Sequence, residues 1–201
     1  SILPGEIAMM LGICNSKELK TLRAMSENRI NVVESTSAGR LFDAASALLD
    51  LCKKSSFEGE AAMKLQFAAE RALSTGKAIN SAGSLGLIRS STGFTLATNQ
   101  LLINMAELRL DGADSEALAL FFHEELARMI LEGCELSREL TGLNTVALSG
   151  GVFQNLLLLR LTDELLAENG FTVLKHSLIP PNDGGLCLGQ AVVAMARTNN
   201  K

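Results

Sequence analysis

The 201 residues contain no tryptophan and no tyrosine, and eight phenylalanines supply nearly all the aromatic material. Strands favour aromatic and β-branched side chains, so a fold built wholly of strands is excluded. Positive charge is not in excess either. Eighteen Lys and Arg stand against 22 Asp and Glu, giving a formal net charge of −4 and a pI near 5.3. No basic stripe exists to neutralise phosphates along a duplex, so nucleic acid is not an expected partner. No run approaches the roughly 18 uninterrupted apolar residues of a spanning helix. A secretory leader is also missing, so no membrane partner is expected, and a cytoplasmic location is. The cysteines, Cys14, Cys52, Cys134 and Cys187, are scattered without a C-x-x-C pair, and are expected to be buried small hydrophobes in a reducing compartment.

What is abundant is helix-forming and apolar. Leu occurs 36 times and Ala 24, and 47% of the chain is hydrophobic against 20% charged. That supports a real core and a helix-rich α/β chain, and excludes a disordered one. The length suits one domain, 1–201, and a start at Ser1 instead of Met is what a piece of a longer polypeptide would show. Residues 1–140 read as mostly helical, with helices near 17–29, 40–52, 59–74, 98–109 and 114–139 and a hairpin between Leu85 and Thr98. Residues 141–201 read as strand–helix–strand–helix: a strand at 145–148, a helix at 153–169, a strand at 171–177 and a helix at 186–197. Short strands alternating with helices imply a parallel pair. The first fourteen residues are apolar around a Pro4-Gly5 break.

Three segments carry residues suited to chemistry. At Ser149-Gly150-Gly151, between strand and helix, glycines let backbone N–H groups approach a ligand and the helix offers its positive end. The same glycines would also serve a turn that needs only their dihedrals. Asn155, one turn into that helix, suits a base or ribose, or a bond within the loop. In Pro180-Pro181-Asn182-Asp183-Gly184-Gly185, Asp183 is placed either to cap the last helix or to ligate a metal at a strand's carboxyl end. One carboxylate is not a metal site, and His123 and His176, 53 residues apart, read as hydrogen-bonded structural histidines. In Ser37–Asp43, Asp43 suits a ribose diol or the helix dipole, and Arg40 could grip a phosphate or carboxylate bidentately. No Ser/His/Asp arrangement is visible.

Taken together, Gly39-Arg40-Leu41-Phe42-Asp43-Ala44, Phe57-Glu58-Gly59-Glu60-Ala61-Ala62, Ser149–Asn155 and Pro181–Leu186 resemble, in order and spacing, the HypF carbamoyltransferases that mature nickel–iron hydrogenases. The resemblance covers essentially the whole chain. It matches the second half of a transferase domain shared with threonylcarbamoyl-tRNA and antibiotic O-carbamoyl transferases, and the wording at 40–44 and 152–155 favours the hydrogenase branch.

The resemblance implies one half of an actin-like (ribonuclease H-like, ASKHA) nucleotide-binding domain with extra helices. It implies an ATP-dependent carbamoyltransferase that makes carbamoyl-adenylate from carbamoyl phosphate and ATP. The carbamoyl group then passes to the C-terminal cysteine thiol of HypE. Gly150, Gly151 and Asn155 then match positions around adenosine and phosphates, Gly39, Asp43 and Glu60 the ribose side, and Asp183 a divalent metal ligand. The other metal ligands belong to an upstream half of the chain. Relatives often carry Glu where Gln66 stands, which puts an acidic contact there in doubt. The isolated chain is expected to bind nucleotide weakly and turn over little. The competing class is a non-catalytic docking module of the same fold.

Overall fold

The computed structural model describes residues 4–33, 35–80, 86–90 and 93–199. Six helices fill the first two thirds of the chain: α1 (Pro4–Met10), α2 (Ser16–Glu27), α3 (Ala38–Leu48), α4 (Glu60–Thr75), α5 (Thr98–Leu110) and α6 (Ser115–Thr141). An antiparallel hairpin, β1 (Leu87–Ser90) and β2 (Gly93–Leu96), interrupts them. Leu85 and the Ser91-Thr92 step of the expected hairpin lie outside the described residues. After α6 come β3 (Thr145–Leu148), a 3-10 turn at Gly151–Gln154, α7 (Leu156–Glu168), β4 (Thr172–Lys175), a second 3-10 turn at Asp183–Gly185, and α8 (Leu186–Asn199).

Local chemistry sets several boundaries. Asn15 caps α2 through a reciprocal pair, its side chain accepting from Glu18 N at 3.0 Å while Glu18 Oε2 accepts from Asn15 N at 2.8 Å. Asp114 caps α6 by accepting from Glu116 N and Ala117 N. Gly142 ends α6 in the left-handed region (φ 71°), where a Cβ would be strained.

The core lies in the α3–α6 layer. On α4, Ala61, Leu65, Ala68, Ala69 and Ala72 form a buried stripe that lets α6 approach closely. Arg71 and Lys77, near the end of α4, reach Glu116 at the start of α6, so the two helices run antiparallel. Helix α6 turns Leu118, Phe122, Leu126 and Met129 inward, while Ile130 is only half-buried.

A smaller cluster, Leu148, Leu166 and Phe171, holds α7 against the strands. β3 and β4 pair in parallel with Leu148 opposite Lys175. Arg138 fastens this segment to the end of α6, its guanidinium 4.1 Å from the Phe171 ring centroid and donating to Asn169 O.

Three expectations need correction. The second helix starts at Ala38 and stops at Leu48, because the chain turns at Leu49-Asp50 before reaching Cys52. The helix expected from 153 starts at Leu156, because Gly151–Gln154 form a separate tighter turn. Of the four free cysteines only Cys52 is buried, and Cys187 is exposed because no described element covers its face of α8.

Candidate functional site at the strand ends

Parallel pairing brings the carboxyl ends of β3 and β4 side by side, so the residues that leave them are neighbours. Ser149 Oγ lies 2.9 Å from His176 Nε2, both side chains exposed. Sequence inspection saw no Ser/His pairing, because residues 27 apart become adjacent only through strand register. Gly150 follows at φ 100°, ψ 158°, a region closed to side chains. Its N–H donates to Pro181 O at 2.9 Å, which pins the Pro-Pro-Asn-Asp-Gly-Gly loop onto the Ser149–Gly151 turn. A Cβ on Gly151 would meet only Asn182 Cβ, at 3.8 Å. At Gly185 a Cβ would fall 2.7 Å from Pro180 O and 2.8 Å from Ile179 Cγ2, so no side chain fits there.

Within that loop the capping residue is Asn182, whose side chain accepts from Gly184 N. The capping alternative for Asp183 is therefore corrected. Its carboxylate is exposed and forms no hydrogen bond or ion pair among the described residues. As a metal ligand it is chemically apt but alone, since no group of three His, Cys, Asp or Glu side chains that could hold an ion is found among the described residues.

The α3–α4 segment is differently committed. A Cβ on Gly39, on the first turn of α3, would meet Ser37 Oγ at 3.5 Å, an ordinary contact. Arg40 pairs with Asp43 at 3.2 Å on the same helix, so the two side chains expected to meet a ligand meet each other. Glu60 is occupied: one oxygen accepts from Ser56 N and Ser56 Oγ at 2.6 and 2.8 Å, and the other binds Lys64 at 2.7 Å. Lys64 first, then Ser56, hold the Glu60 carboxyl down at about 2. The role expected for Glu60 at a ribose is not supported by a free oxygen. Nothing described brings Glu60 to the strand ends, whereas α3 packs against the 3-10 turn Gly151–Gln154.

Asn155 is the N-cap of α7, not a residue one turn into it, because the preceding four residues form their own turn. It is 8% exposed, its Oδ1 accepting from Leu158 N at 3.0 Å and its Nδ2 lying 3.0 Å from His123 Nε2. Each end of the amide thus has a partner inside the protein, in a residue that is nearly buried. His123 is fully buried with Nδ1 2.7 Å from Ala119 O. Burial lowers its pKa to about 4, so the structural reading of this histidine holds. A groove of about 250 Å³, lined by Leu87, Arg89, Glu132, Glu135, Leu136 and Glu139, lies between β1 and α6, away from these loops.

A parallel strand pair whose carboxyl ends carry two interlocked glycine-rich loops, backed by a helical layer, makes this a helix-rich α/β subdomain. Residues 5–190 match the family described as Carbamoyltransferase, Kae1-like Domain, second subdomain, and the chain belongs to that family. Carbamoyltransferase HypF of Rhodobacter capsulatus is 39% identical over 176 residues, 87% of this chain and 22% of its own length. A Carbamoyltransferase HypF homolog of Cupriavidus necator is 33% identical over 193 residues, 94% of this chain and 48% of that protein. Among solved structures, full-length HypF in the phosphate- and nucleotide-bound form superposes with a TM-score of 0.81 at 32% identity, over 94% of this chain and 24% of that one. HypF of T. kodakarensis, 24% identical with a TM-score of 0.73, shares the fold. The chain thus spans between about a fifth and a half of the length of the curated relatives. No described helix is long and apolar enough to cross a membrane.

Proposed function

We propose that this chain is the C-terminal part of the transferase domain of a HypF carbamoyltransferase, working in the cytoplasm as one wall of a carbamoyl-adenylate site. The observation that carries the reading is the Gly150 N–Pro181 O bond, which joins the two glycine-rich loops into one surface at the strand ends. In this reading the fold is one half of an actin-like domain, with the nucleotide between it and the upstream half. Water releases phosphate from carbamoyl phosphate, the carbamate formed displaces pyrophosphate from ATP to give carbamoyl-adenylate, and the C-terminal cysteine thiolate of HypE takes the carbamoyl group as AMP leaves. The nucleophile is the acceptor's own thiolate, so the chain need not supply one.

What the chain itself contributes is placement. Asn182 takes the cap, which leaves the Asp183 carboxylate free to give one oxygen to a divalent cation whose remaining ligands lie upstream. When bound, such an ion supplies Lewis-acid polarisation of a carbonyl or phosphoryl oxygen. The positive φ of Gly150, open only to glycine, and the crowded Gly185 hold both loops close enough for backbone to line a ligand. The exposed apolar side of α8 is the surface that faces the upstream half.

The test is ATP-dependent carbamoyl transfer to a HypE C-terminal peptide. The intact protein transfers the group, this 201-residue chain alone does not, and adding the upstream half restores transfer. Asp183→Ala abolishes metal retention and transfer in the intact protein. Nucleotide binding without transfer under every condition would favour a docking module instead, and tRNA-stimulated turnover would favour the tRNA-modifying branch.

A further inference from the structure

We propose that His123 is a positioning residue that joins the two halves of the site: through Asn155 it fixes the 3-10 turn behind Ser149-Gly150-Gly151, and through Phe42 it seats that turn against α3. This rests on the reading of those segments as one nucleotide-facing wall.

The hydrogen-bond chemistry leaves one arrangement. Ala119 O can only accept, so the Nδ1 that lies 2.7 Å away carries the proton and donates. Nε2 then has only a lone pair, and the Asn155 amide must present its NH2 there, at 3.0 Å. That orientation turns Oδ1 toward Leu158 N, where it accepts at 3.0 Å and caps α7. The chain of three bonds begins on a backbone carbonyl and ends on a backbone N–H, so no rotor in it can flip without orphaning a buried group. Asn155 also closes the turn before it, its own N–H donating to Val152 O at 3.1 Å.

On its other side the imidazole stands edge-on to Phe42, ring centroids 5.6 Å apart, and to Phe122 at 5.5 Å. Phe42 belongs to the same helix turn as Arg40 and Asp43. His123 therefore touches a residue of each site segment while reaching no solvent itself. A phenylalanine would fill similar space without desolvating two ring nitrogens, so the imidazole's distinctive contribution is direction.

The experiment uses the intact protein and reads two quantities. In His123→Phe, hydrogen exchange at the amides of residues 150–155 accelerates by roughly tenfold, the scale set by a buried amide losing its partner, while amides of α4 keep their parental rates. ATP affinity falls by a similar factor, with little change in turnover at saturating ATP. Asn155→Ala gives the same local loosening, and the double variant adds nothing further because both break one chain of bonds. His123→Gln, which keeps one donor and one acceptor, restores part of the affinity. Uniformly faster exchange across the chain, or unchanged exchange at 150–155, overturns the proposal. Should His123→Phe fail to fold, Asn155→Ala carries the same two readouts. If the parent binds no ATP, the functional reading fails, whereas the exchange pattern still decides the positioning role.

Discussion

In the α3–α6 layer, Phe42, Leu65, Leu118 and Phe122 are each at most 1% exposed. On α8, Leu186, Leu188, Val192 and Met195 are 59, 46, 57 and 65% exposed. Both regions have the composition of a buried helix, but only one is closed by partners within the described residues. The helical layer carries the stability. The strand–helix–strand–helix segment carries the glycine loops and leaves one side open. The two-walled site proposed for this chain would need this division, because a surface that must meet another wall cannot also be sealed by its own chain.

The largest effect that would break this comparison lies in the closed region. Phe122→Ala or Leu118→Ala should cost about 3–5 kcal/mol in urea unfolding of this chain, from lost burial plus an uncollapsed cavity. A cost below about 1 kcal/mol at either position would mean the helical layer is not the stable half.

Next comes the joint between the two regions. His123 has its folded pKa lowered to about 4 by burial, against 6.5 for the free group. A lowered folded value means the unfolded chain takes up the proton first, so stability is complete above pH 6.5 and declines as pH falls toward 4. The decline amounts to about 3 kcal/mol from this group. Comparing urea midpoints at pH 7 and pH 4.5 measures it, and His123→Phe should flatten that part of the profile.

A third effect is smaller. Asp114→Ala removes the α6 cap and should cost about 1 kcal/mol. Ala117 N–H above all, and Lys77 next, hold the Asp114 pKa below its usual 3.8. The contribution is therefore present above pH 3.8 and fades as pH falls through the lowered value. The wild-type and Asp114→Ala midpoints should converge in acid, which an unfolding series from pH 6 to pH 2.5 checks.

How far the sequence could be read depended on the range of the signal. Helices α4 to α6 and the β3–α7–β4–α8 order were legible because periodicity, capping residues and glycine breaks are local. The Ser149–Gly151 and Pro180–Gly185 segments were legible as motifs of a family resemblance, whereas the bond between Gly150 N and Pro181 O that joins them was not. Nor were the Ser149–His176 pair and the His123–Asn155 bond. Each depends on register, helix rotation or a rotamer, and no residue spacing encodes those. Arg40 and Asp43 are a different case, since their spacing allows either reading. The sequence shows two charges suited to a ligand, while the helix places them three residues apart where they satisfy each other.

The smallest expected effect is the sharpest test of the contrast. Leu188→Ala in this 201-residue chain should change unfolding stability by no more than about 0.5 kcal/mol, because a side chain 46% exposed has little burial to lose. In the intact protein the same substitution should cost about 2 kcal/mol or more if the upstream half covers α8, since the methylenes removed would then come from a packed interior. The difference between the two measurements isolates the covering surface, because the substituted side chain and its own helix are common to both. Equal small costs in the two proteins would show that α8 stays solvent-facing, and would shift the second wall of the site to another side of the strand pair. A large cost already in the isolated chain would show that α8 finds a partner within it, and the contrast between a closed and an open region would fail.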